Sequence, residues 1–572
     1  MSPSVRHTWF VLSGLVGSLI VTFALHYPAL SGWWCCDDPQ ILKHALQYTP
    51  LEYFFVPQAW RALIPYSLTP WLSFIYDFDH ALFGLSPVAF HTHNLLIIAL
   101  CAWLISLIAR QAVSAGYALA GGLLFLLGGP VLVAAHQLMV RHYMEGLFFY
   151  LLAFLLLQKG FQRQSSTKGW LAGLFFALSA AAKEIYLPLG FVPFLLPIGS
   201  LRQRLKTGWP IFLVMLLYLP WRWYMLGDLL GGYTPAAALG KNDLSTALGQ
   251  FATIPGLLFS WPVFPLAGLL IGVVVVLFRN RQLRPLVLLV ILLPLLFLPL
   301  VPLARQPGIG AGSERYFIAI WAAFSLGAAL LAGRAVKGCG IRCHLFTVSL
   351  LLLSSGLTWQ KTKEVQAALL PAQQEQSVQG KALISATEQD IIYLTDGVSS
   401  WYVSGIIDLQ QELGRKLPAA ITATDEIDLA EQSLAGKRIL HYDRENGKMA
   451  DITLKVPQIL SDWQQRVQPR PLAVMMEFNP ATKILQWQLG PWQQGSYSLG
   501  SHLLPLKGAL RMEKVPTDKF RFRYTAPEGW IAYTPLLQFV EEQQGDYRIT
   551  WQGDGLDVRK IKTDEELRQQ QQ

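Results

Sequence analysis

Two adjacent carboxylates, Asp37 and Asp38, follow the first hydrophobic stretch, in the segment Trp-Trp-Cys-Cys-Asp-Asp-Pro-Gln-Ile at residues 33–41. Tryptophan is enriched where a helix leaves the membrane, and an ionised carboxylate can remove a proton from a hydroxyl group. Residues 1–359 contain only ten acidic side chains, so an adjacent pair is unusual there. The segment therefore predicts a general base at the outer membrane surface, where an enzyme acting on a lipid-linked substrate needs one.

In this interpretation Asp37 is the preferred base, and Asp38 supports it by orienting an acceptor or by binding a metal ion. The structural alternative is that the pair caps a helix beginning near Pro39, because Asp is favoured at the N-cap and Pro in the first helical turn.

Transfer of a sugar from a lipid phosphate also needs cations that hold the departing phosphate. Arginine offers phosphate a forked set of donors, and lysine offers a compact charge. The candidates at the outer ends of hydrophobic stretches are Lys183, Arg222 and Arg315, followed by Arg141.

Each of the first three cations also has a structural alternative. Lys183 can pair with the adjacent Glu184, and Arg222 can extend its charge toward the membrane surface. Arg315 can form an interfacial ion pair with the adjacent Glu314, next to Tyr316. Glu184 and Tyr316 are accordingly predicted to support the site.

His91, His93 and Asn94 begin the second hydrophobic stretch. Capping and structural hydrogen bonds are their favoured roles, and we expect His91 and Asn94 to support the site in this way. A divalent metal ion bound by the histidines and the Asp pair is the alternative, but the spacing of these ligands is not diagnostic. No other cofactor is indicated.

The composition indicates a polytopic membrane protein, because 52% of the 572 residues are hydrophobic. A membrane-spanning helix needs roughly 17–25 predominantly apolar residues. Eleven spans are predicted, at residues 8–26, 92–109, 117–134, 143–158, 169–182, 185–199, 208–226, 256–278, 285–303, 316–333 and 344–358.

The distribution of charge predicts the orientation. With a cytoplasmic N-terminus, 14 of the 22 basic residues of 1–359 lie on inner loops and all ten acidic residues lie outside, as the positive-inside rule expects. We therefore expect a bacterial inner-membrane protein with a periplasmic C-terminal domain. The net charge of +9 is explained by the basic residues of the inner loops, so nucleic acid is not an expected partner.

The chain divides into three regions. Residues 1–359 form the predicted transmembrane catalytic domain, in which an outer loop at 27–91 contains short interfacial helices separated by prolines. Residues 360–470 are predicted as an extracytoplasmic α/β region, with strands at 390–394 and 438–442 and a helix at 404–413. Alternating hydrophobic and polar residues predict a β-sandwich at 471–572, with strands at 473–478, 484–487, 520–524 and 547–551.

Six collinear segments resemble the GT-C superfamily of polytopic glycosyltransferases, especially the protein O-mannosyltransferases and the transmembrane tetratricopeptide O-mannosyltransferases. They lie at residues 37–41, 87–96, 135–141, 182–188, 221–227 and 313–316. The resemblance implies a polyprenyl-phosphate-linked sugar donor, an inverting transfer and an outer-face site, with Asp37 at the position of the base. This chain departs from the family pattern in three ways. Gln137 stands where Pro is common in the family, and this chain lacks the tetratricopeptide repeats. The family in turn has no counterpart of residues 360–572.

These observations predict a membrane glycosyltransferase that moves a sugar to an extracytoplasmic protein hydroxyl, glycan or lipid. A lipid or glycan transporter or flippase is the first alternative, motivated by the many spans and the basic inner face. The second is a membrane sensor or assembly protein whose outer domain binds a ligand. A transporter predicts ionisable residues midway across the helices, whereas the acidic residues are all predicted at one face. A sensor gives no reason for the outer Asp pair and the basic helix ends.

Overall fold

The computed structural model describes most of the chain. The described residues are 3–195, 198–229, 243–280, 295–296, 313–395, 397–415, 417–418, 421–479, 484–500, 502–511, 519–541 and 547–552. This part is mostly helical as far as Ser385 and rich in strands beyond it.

Fifteen described α-helices precede the first strand. They are α1 (Pro3–His26), α2 (Asp38–Gln47), α3 (Pro50–Phe55), α4 (Pro57–Leu63), α5 (Trp71–Phe83), α6 (Pro87–Arg110), α7 (Ala115–Leu126), α8 (Gly129–His136), α9 (Arg141–Arg163), α10 (Ser166–Ala182), α11 (Leu201–Leu226), α12 (Asp243–Leu258), α13 (Val263–Asn280), α14 (Ile318–Ala335) and α15 (Ile341–Ser385).

The chain is a multi-pass membrane protein. Five helical segments of the described residues are long and apolar enough to cross a membrane: Thr8–Ser31, Pro87–Arg110, Leu138–Arg163, Ser313–Ala335 and Ile341–Ser385. Two bent pairs raise the number to seven if each pair is one span. The predicted spans at 8–26, 92–109, 143–158, 316–333 and 344–358 fall within the five segments, whereas the total of eleven stays a prediction.

Two predicted spans take a different form. The span at 117–134 is divided into α7 and α8, which meet at 56°. The bend lies at Gly128, where the indole of Trp321 packs against the backbone and donates to the Phe125 carbonyl at 2.8 Å. The span at 256–278 likewise falls on the bent pair Ala252–Leu258 and Val263–Val275, with an angle of 106°.

Prolines change the form of another predicted span. The sequence predicts a spanning α-helix at 185–199, but Glu184–Leu195 form a 3-10 helix that contains Pro188 and Pro193. Proline lacks the N–H that an α-helix requires in its interior, so this segment is not a regular spanning α-helix. The predicted spans at 169–182 and 208–226 lie in α10 and α11, neither of which is among the five segments, so these two spans stay predictions. The span at 285–303 lies outside the described residues except for 295–296.

The outer loop at 27–91 consists of the 3-10 helix Tyr27–Ser31 and the short helices α2 to α5 before α6 begins. Proline occupies the first turn of α2, α3 and α4, where its missing N–H leaves no helical bond unmade. A capping box of Thr49 and Glu52 begins α3. The prolines therefore divide the loop into short helices, as the sequence predicts.

A single helix of 45 residues, α15, joins the membrane part to the C-terminal part. It continues through the boundary that the composition places between residues 359 and 360. Pro371 lies within it without ending it. The change in composition therefore marks where the helix becomes polar, and the helix itself ends only at Ser385.

The first C-terminal region is a four-stranded sheet with the order β2-β1-β3-β4. Its strands are β1 (Asp390–Tyr393), β2 (Thr422–Ala423), β3 (Arg438–Asp443) and β4 (Lys448–Asp451), and its helices are α16 (Gly397–Glu412), α17 (Glu426–Glu431) and α18 (Val456–Arg466). Strand β1 is parallel to β2 and β3, with Ile392 opposite Thr422 and Leu440. Residues 360–385 belong to α15, and the division into an α/β region at 360–470 stays a prediction.

The second C-terminal region contains only antiparallel pairs among its named strands. The strands are β5 (Ala473–Asn479), β6 (Ile484–Gly490), β7 (Ser496–Leu499), β8 (His502–Leu504), β9 (Lys507–Arg511), β10 (Phe522–Thr525), β11 (Ile531–Tyr533), β12 (Leu536–Glu541) and β13 (Tyr547–Gln552). They form sheets ordered β11-β10-β7-β8, β5-β6-β9 and β12-β13. Side chains of several sheets share one apolar core that includes Val474, Leu485, Tyr497, Phe522 and Phe539.

Candidate functional site

Asp37 lies at the N-cap of α2 and its side chain is exposed. The carboxylate makes no capping hydrogen bond to the helix. Its Oδ1 instead accepts a hydrogen bond of 2.9 Å from Nε1 of Trp401, in helix α16 of the C-terminal part. The backbone of Asp37 thus has the position that the capping alternative predicts, whereas its carboxylate is directed away from the helix.

Asp38 is fully buried directly behind Asp37. Its Oδ2 accepts from the Cys35 backbone N–H at 2.8 Å, and its Oδ1 accepts from the Tyr76 hydroxyl at 2.6 Å. Burial raises the pKa of Asp38 to about 7, although both of these hydrogen bonds act in the opposite direction. Both carboxylate oxygens are therefore occupied within the protein, and this geometry favours Asp37 as the group that meets a substrate.

Arg141 does not lie with the other candidate cations. Its guanidinium is fully buried, and it donates to Asp79 at 2.6 Å and to Glu145 at 2.9 Å. It also lies over the ring of Tyr76, 5.7 Å from the ring centre. Two buried carboxylates already neutralise this cation, so the structure places Arg141 behind the Asp pair, where it supports Tyr76.

Lys183 and Arg222 lie at the C-terminal ends of α10 and α11. Arg222 is 2% exposed and forms an ion pair with Glu184. Its Nε donates to the Leu229 carbonyl at 3.1 Å. Burial lowers the pKa of Lys183 to about 8, and the nearby Arg315 and Arg222 act in the same direction while Glu184 opposes them.

The contacts of Lys183 and Arg222 differ from the structural alternatives that the sequence suggests for them. Glu184 pairs with Arg222 rather than with the neighbouring Lys183, and it also accepts from the Leu68 backbone N–H at 2.5 Å. The ammonium of Lys183 lies 4.7 Å from the centre of the Tyr143 ring. Glu184 thus supports the site by holding Arg222 and the outer loop together.

Arg315 approaches from the short 3-10 helix Ser313–Phe317. Its Nη2 donates to the Tyr316 hydroxyl at 3.0 Å, and the Tyr316 ring lies 6.0 Å from the ring of Tyr143. Since Lys183 responds to the charges of both Arg222 and Arg315, these three side chains form one group, which we name the cation cluster.

Tyr66 connects the cation cluster with Asp37. Burial raises the pKa of its hydroxyl, the charge of Asp37 and the proximity of Tyr316 add to that effect, and Arg315 opposes it. The main-chain carbonyl of Tyr66 accepts from Arg222 at 3.4 Å. Tyr66 therefore lies close to Asp37, Arg222 and Arg315, and Lys183 lies close to the two arginines.

His91 and Asn94 support the backbone of α8. His91 Nδ1 donates to the Ala135 carbonyl at 3.3 Å, and Asn94 Nδ2 donates to the Ala134 carbonyl at 2.6 Å. Carbonyls in the last turn of a helix have no partner within the helix, so these two side chains provide one. This is the structural role that the sequence favours.

A metal site is not evident in the part of the chain that the structure describes. No group of three or more His, Cys, Asp or Glu side chains within it is arranged to hold a metal ion. The structure consequently assigns no ligands to the divalent ion that the sequence leaves open.

Three aromatic residues of this site are not predicted by the sequence. Tyr66 and Tyr76 belong to the aromatic-rich outer loop, where composition marks them as interfacial but gives no sign of their contacts. Trp401 lies 364 positions from Asp37, and no local pattern connects the two residues.

Comparisons with known proteins identify no family. No protein-family model and no curated protein matches the sequence. A crystal structure of ArnT from Cupriavidus metallidurans in the apo state is similar to this chain with a TM-score of 0.41 and 12% identity, covering 79% of this chain and 95% of that one. The same protein bound to undecaprenyl phosphate gives a TM-score of 0.35 and 14% identity, with 78% and 95% covered. Scores this low assign no function.

Proposed function

We propose that this chain is a membrane glycosyltransferase that transfers a sugar from a polyprenyl-phosphate-linked donor to an acceptor outside the cytoplasm. The observation that supports this most is the convergence of an exposed carboxylate, Asp37, with the cation cluster at the outer ends of hydrophobic helices. A base and a phosphate-binding group at one membrane boundary are what the reaction requires.

Asp37 is the proposed base, which takes the proton from the acceptor hydroxyl as that hydroxyl attacks the anomeric carbon of the sugar. The bond from this carbon to the lipid phosphate breaks, and attack from the opposite face inverts its configuration. A phosphate monoester has a second pKa of about 6, so the leaving group can depart as an anion. Its charge needs cations more than it needs a proton donor.

Lys183, Arg222 and Arg315 are the proposed ligands of the departing phosphate. Glu184 neutralises part of the charge of Arg222, which leaves a net positive charge in the cluster. The hydroxyls of Tyr66, Tyr143 and Tyr316 lie in the same place and can donate to phosphate oxygens. Arg141 is assigned a supporting role because its charge is already paired with Asp79 and Glu145.

The proposed location is a bacterial inner membrane, with the N-terminus in the cytoplasm and residues 360–572 in the periplasm. The described contact between Asp37 and Trp401 supports a C-terminal part on the same side of the membrane as the Asp pair. The acceptor is proposed to be a hydroxyl of a protein, a glycan or a lipid that reaches this side.

The test is mass spectrometry of glycoconjugates from cells that depend on a plasmid copy of the gene. We expect Asp37→Asn to remove the sugar that the wild-type chain adds. Asp77→Asn is the matched control, because Asp77 belongs to the same loop and contacts the hydroxyl of Tyr53 at 3.0 Å instead of the site. An unchanged sugar pattern with Asp37→Asn, at wild-type protein levels, overturns the proposal.

A further inference from the structure

Helix α16 of the C-terminal part lies along α2 of the outer loop in the same direction. Positions 40, 43 and 47 lie on one face of α2, as the helical repeat requires. Three contacts join the helices: Gln40 Nε2 donates to the Trp401 carbonyl at 3.1 Å, Lys43 pairs with Asp408 at 2.8 Å, and Gln47 donates to Glu412 at 2.8 Å. These contacts fix the register of one helix against the other.

A glycine permits the close approach of the two helices. A Cβ atom on Gly405 would overlap the side-chain amide of Gln40. The surface of α16 therefore lies directly against α2 at Gly405, and the register of the contact places residue 401 next to the start of α2.

The indole of Trp401 contacts Asp37 at that end. Its Nε1 donates to Asp37 Oδ1 at 2.9 Å, and the residue is 56% exposed. Among the described residues, no group donates a hydrogen bond to the other carboxylate oxygen, Oδ2. One oxygen is thus held by the C-terminal part while the second is accessible.

We propose that Trp401 is a positioning residue of the active site, which holds the Asp37 carboxylate so that Oδ2 is directed at the acceptor hydroxyl. This inference rests on the proposed glycosyl transfer. The C-terminal part then contributes one residue, Trp401, to the catalytic centre, in addition to any contact with the acceptor.

The chemistry of a base explains why such a partner is useful. An exposed Asp at the start of a helix can rotate among several conformations, and a base acts only from the one that points at its proton. An N–H group donating to one oxygen restricts that rotation and leaves the lone pairs of the other oxygen available. Asp38 shows the contrasting case, in which both oxygens are already occupied.

The experiment uses full-length protein in membrane vesicles, with an extract of the cell's own lipids as the donor source at increasing concentration. Trp401→Phe keeps an aromatic ring and removes the N–H group. We expect its maximal rate of sugar incorporation to fall about 10- to 100-fold, the effect of losing a hydrogen bond to a charged group. The lipid concentration for half-maximal rate should not change, because the cation cluster is intact.

Two further variants separate positioning from packing. Trp401→His has a smaller ring that retains an N–H, and we expect it to keep more activity than Trp401→Phe. Trp487→Phe is the matched control, since it removes an indole N–H that donates to the Pro505 carbonyl at 3.1 Å and makes no contact with Asp37. It should behave as the wild type. Binding of undecaprenyl phosphate, measured by native mass spectrometry, should be equal in all variants.

The outcomes are distinguishable from those of the proposed function. A Trp401→Phe rate within twofold of the wild type, while Asp37→Asn is inactive, overturns the role of Trp401 and leaves the glycosyltransferase proposal intact. Equal losses in Trp401→Phe and Trp401→His assign the effect to ring packing and also overturn the role. Full activity of Asp37→Asn overturns both proposals.

Discussion

The two neighbouring aspartates differ in environment more than their adjacency suggests. Asp37 is exposed and accepts one hydrogen bond from another part of the chain. Asp38 is buried and accepts two from its own loop. Since the two residues share a helix terminus, the direction of each side chain decides which one can meet a substrate. We infer that Asp38 maintains the shape of the loop from which Asp37 acts.

The burial of Asp38 predicts a pH-dependent stability. Its pKa is raised from 3.8 to about 7 in the folded protein, so between these values the folded state binds a proton that the unfolded state has lost. The stabilisation is present below pH about 4 and is lost as the pH rises through about 7. Thermal unfolding of purified protein should therefore occur at a lower temperature at pH 8 than at pH 5.

Asp38→Asn is the matched variant for this measurement, because an amide cannot ionise and can still accept from the Cys35 N–H. We expect its unfolding temperature to change much less with pH than that of the wild type. Equal pH dependence in the two proteins would contradict a raised pKa at Asp38.

Lys183 predicts the alkaline limit of activity. Its pKa is lowered to about 8 by burial and by the neighbouring arginines, so it loses its charge as the pH rises through that value. If it binds the phosphate, the rate should fall above pH 8. Lys183→Arg keeps its charge at this pH, and its profile should remain level to a higher pH. A fall at the same pH in both proteins would assign the limit to another group.

At the scale of elements, the bend between α7 and α8 depends on the absence of a side chain at Gly128. A Cβ there would overlap the indole of Trp321, which is buried and holds the Phe125 carbonyl. We expect Gly128→Val to lower the free energy of unfolding by about 1–3 kcal/mol, the usual cost of overpacking. Thermal unfolding should show the change. Gly17→Val is the control and should have a much smaller effect, because a Cβ at Gly17 would meet no other atom within 4 Å.

The elements that sequence analysis locates correctly are those defined by local patterns. The prolines at 50 and 57 mark the starts of α3 and α4, and alternation of residue types locates β5 and β6. The bend at Gly128 and the 3-10 helix Glu184–Leu195 escape prediction because hydrophobicity alone does not distinguish a straight helix from an interrupted one. Proline and tertiary contacts such as that of Trp321 decide the difference.

In the candidate site, too, local patterns are predictable from the sequence and tertiary contacts are not. Hydrophobic stretches and charge predict the outer position of Asp37 and of the cations, and the structure brings three of the four cations together. Arg141 is grouped with them in the sequence because its neighbourhood is similar. Glu145 lies four residues after Arg141 on the same helix, a spacing at which opposite charges can pair. Asp79 comes from α5, 62 positions earlier, and that pairing is not visible in one sequence.

Helix α15 connects the membrane part to the C-terminal part without a break. A helix of 45 residues is about 67 Å long at 1.5 Å per residue, which is about twice the roughly 30 Å of hydrocarbon in a bilayer. Its polar half contacts the loop at 27–91, where the Cys36 N–H donates to Gln376 at 2.8 Å. It also contacts the end of α8, where Gln373 donates to the His136 carbonyl at 3.0 Å. The C-terminal part is therefore held close to the loop from two directions, by α15 and by α16.

This architecture predicts that the two parts remain docked in the working protein. Cysteines introduced at Gln47 and Glu412, whose side chains are 2.8 Å apart, should be joined efficiently by a short bifunctional thiol reagent in membranes. We expect the joined protein to retain activity. Cysteines at Gln47 and at exposed Glu528 provide the control pair and should not be joined. Loss of activity on joining 47 to 412 would show that the reaction needs the parts to separate.

The contact of Trp401 with Asp37 also has a consequence for the timing of synthesis. The two residues are 364 positions apart, and translation at about 5–20 residues per second needs about 20 to 70 seconds to cover that distance. During this interval the nascent chain contains Asp37 without the indole that donates to it. If Trp401 positions the proposed base, a nascent chain that ends before residue 401 has an incomplete centre, and the order of translation delays the proposed activity until α16 has been made.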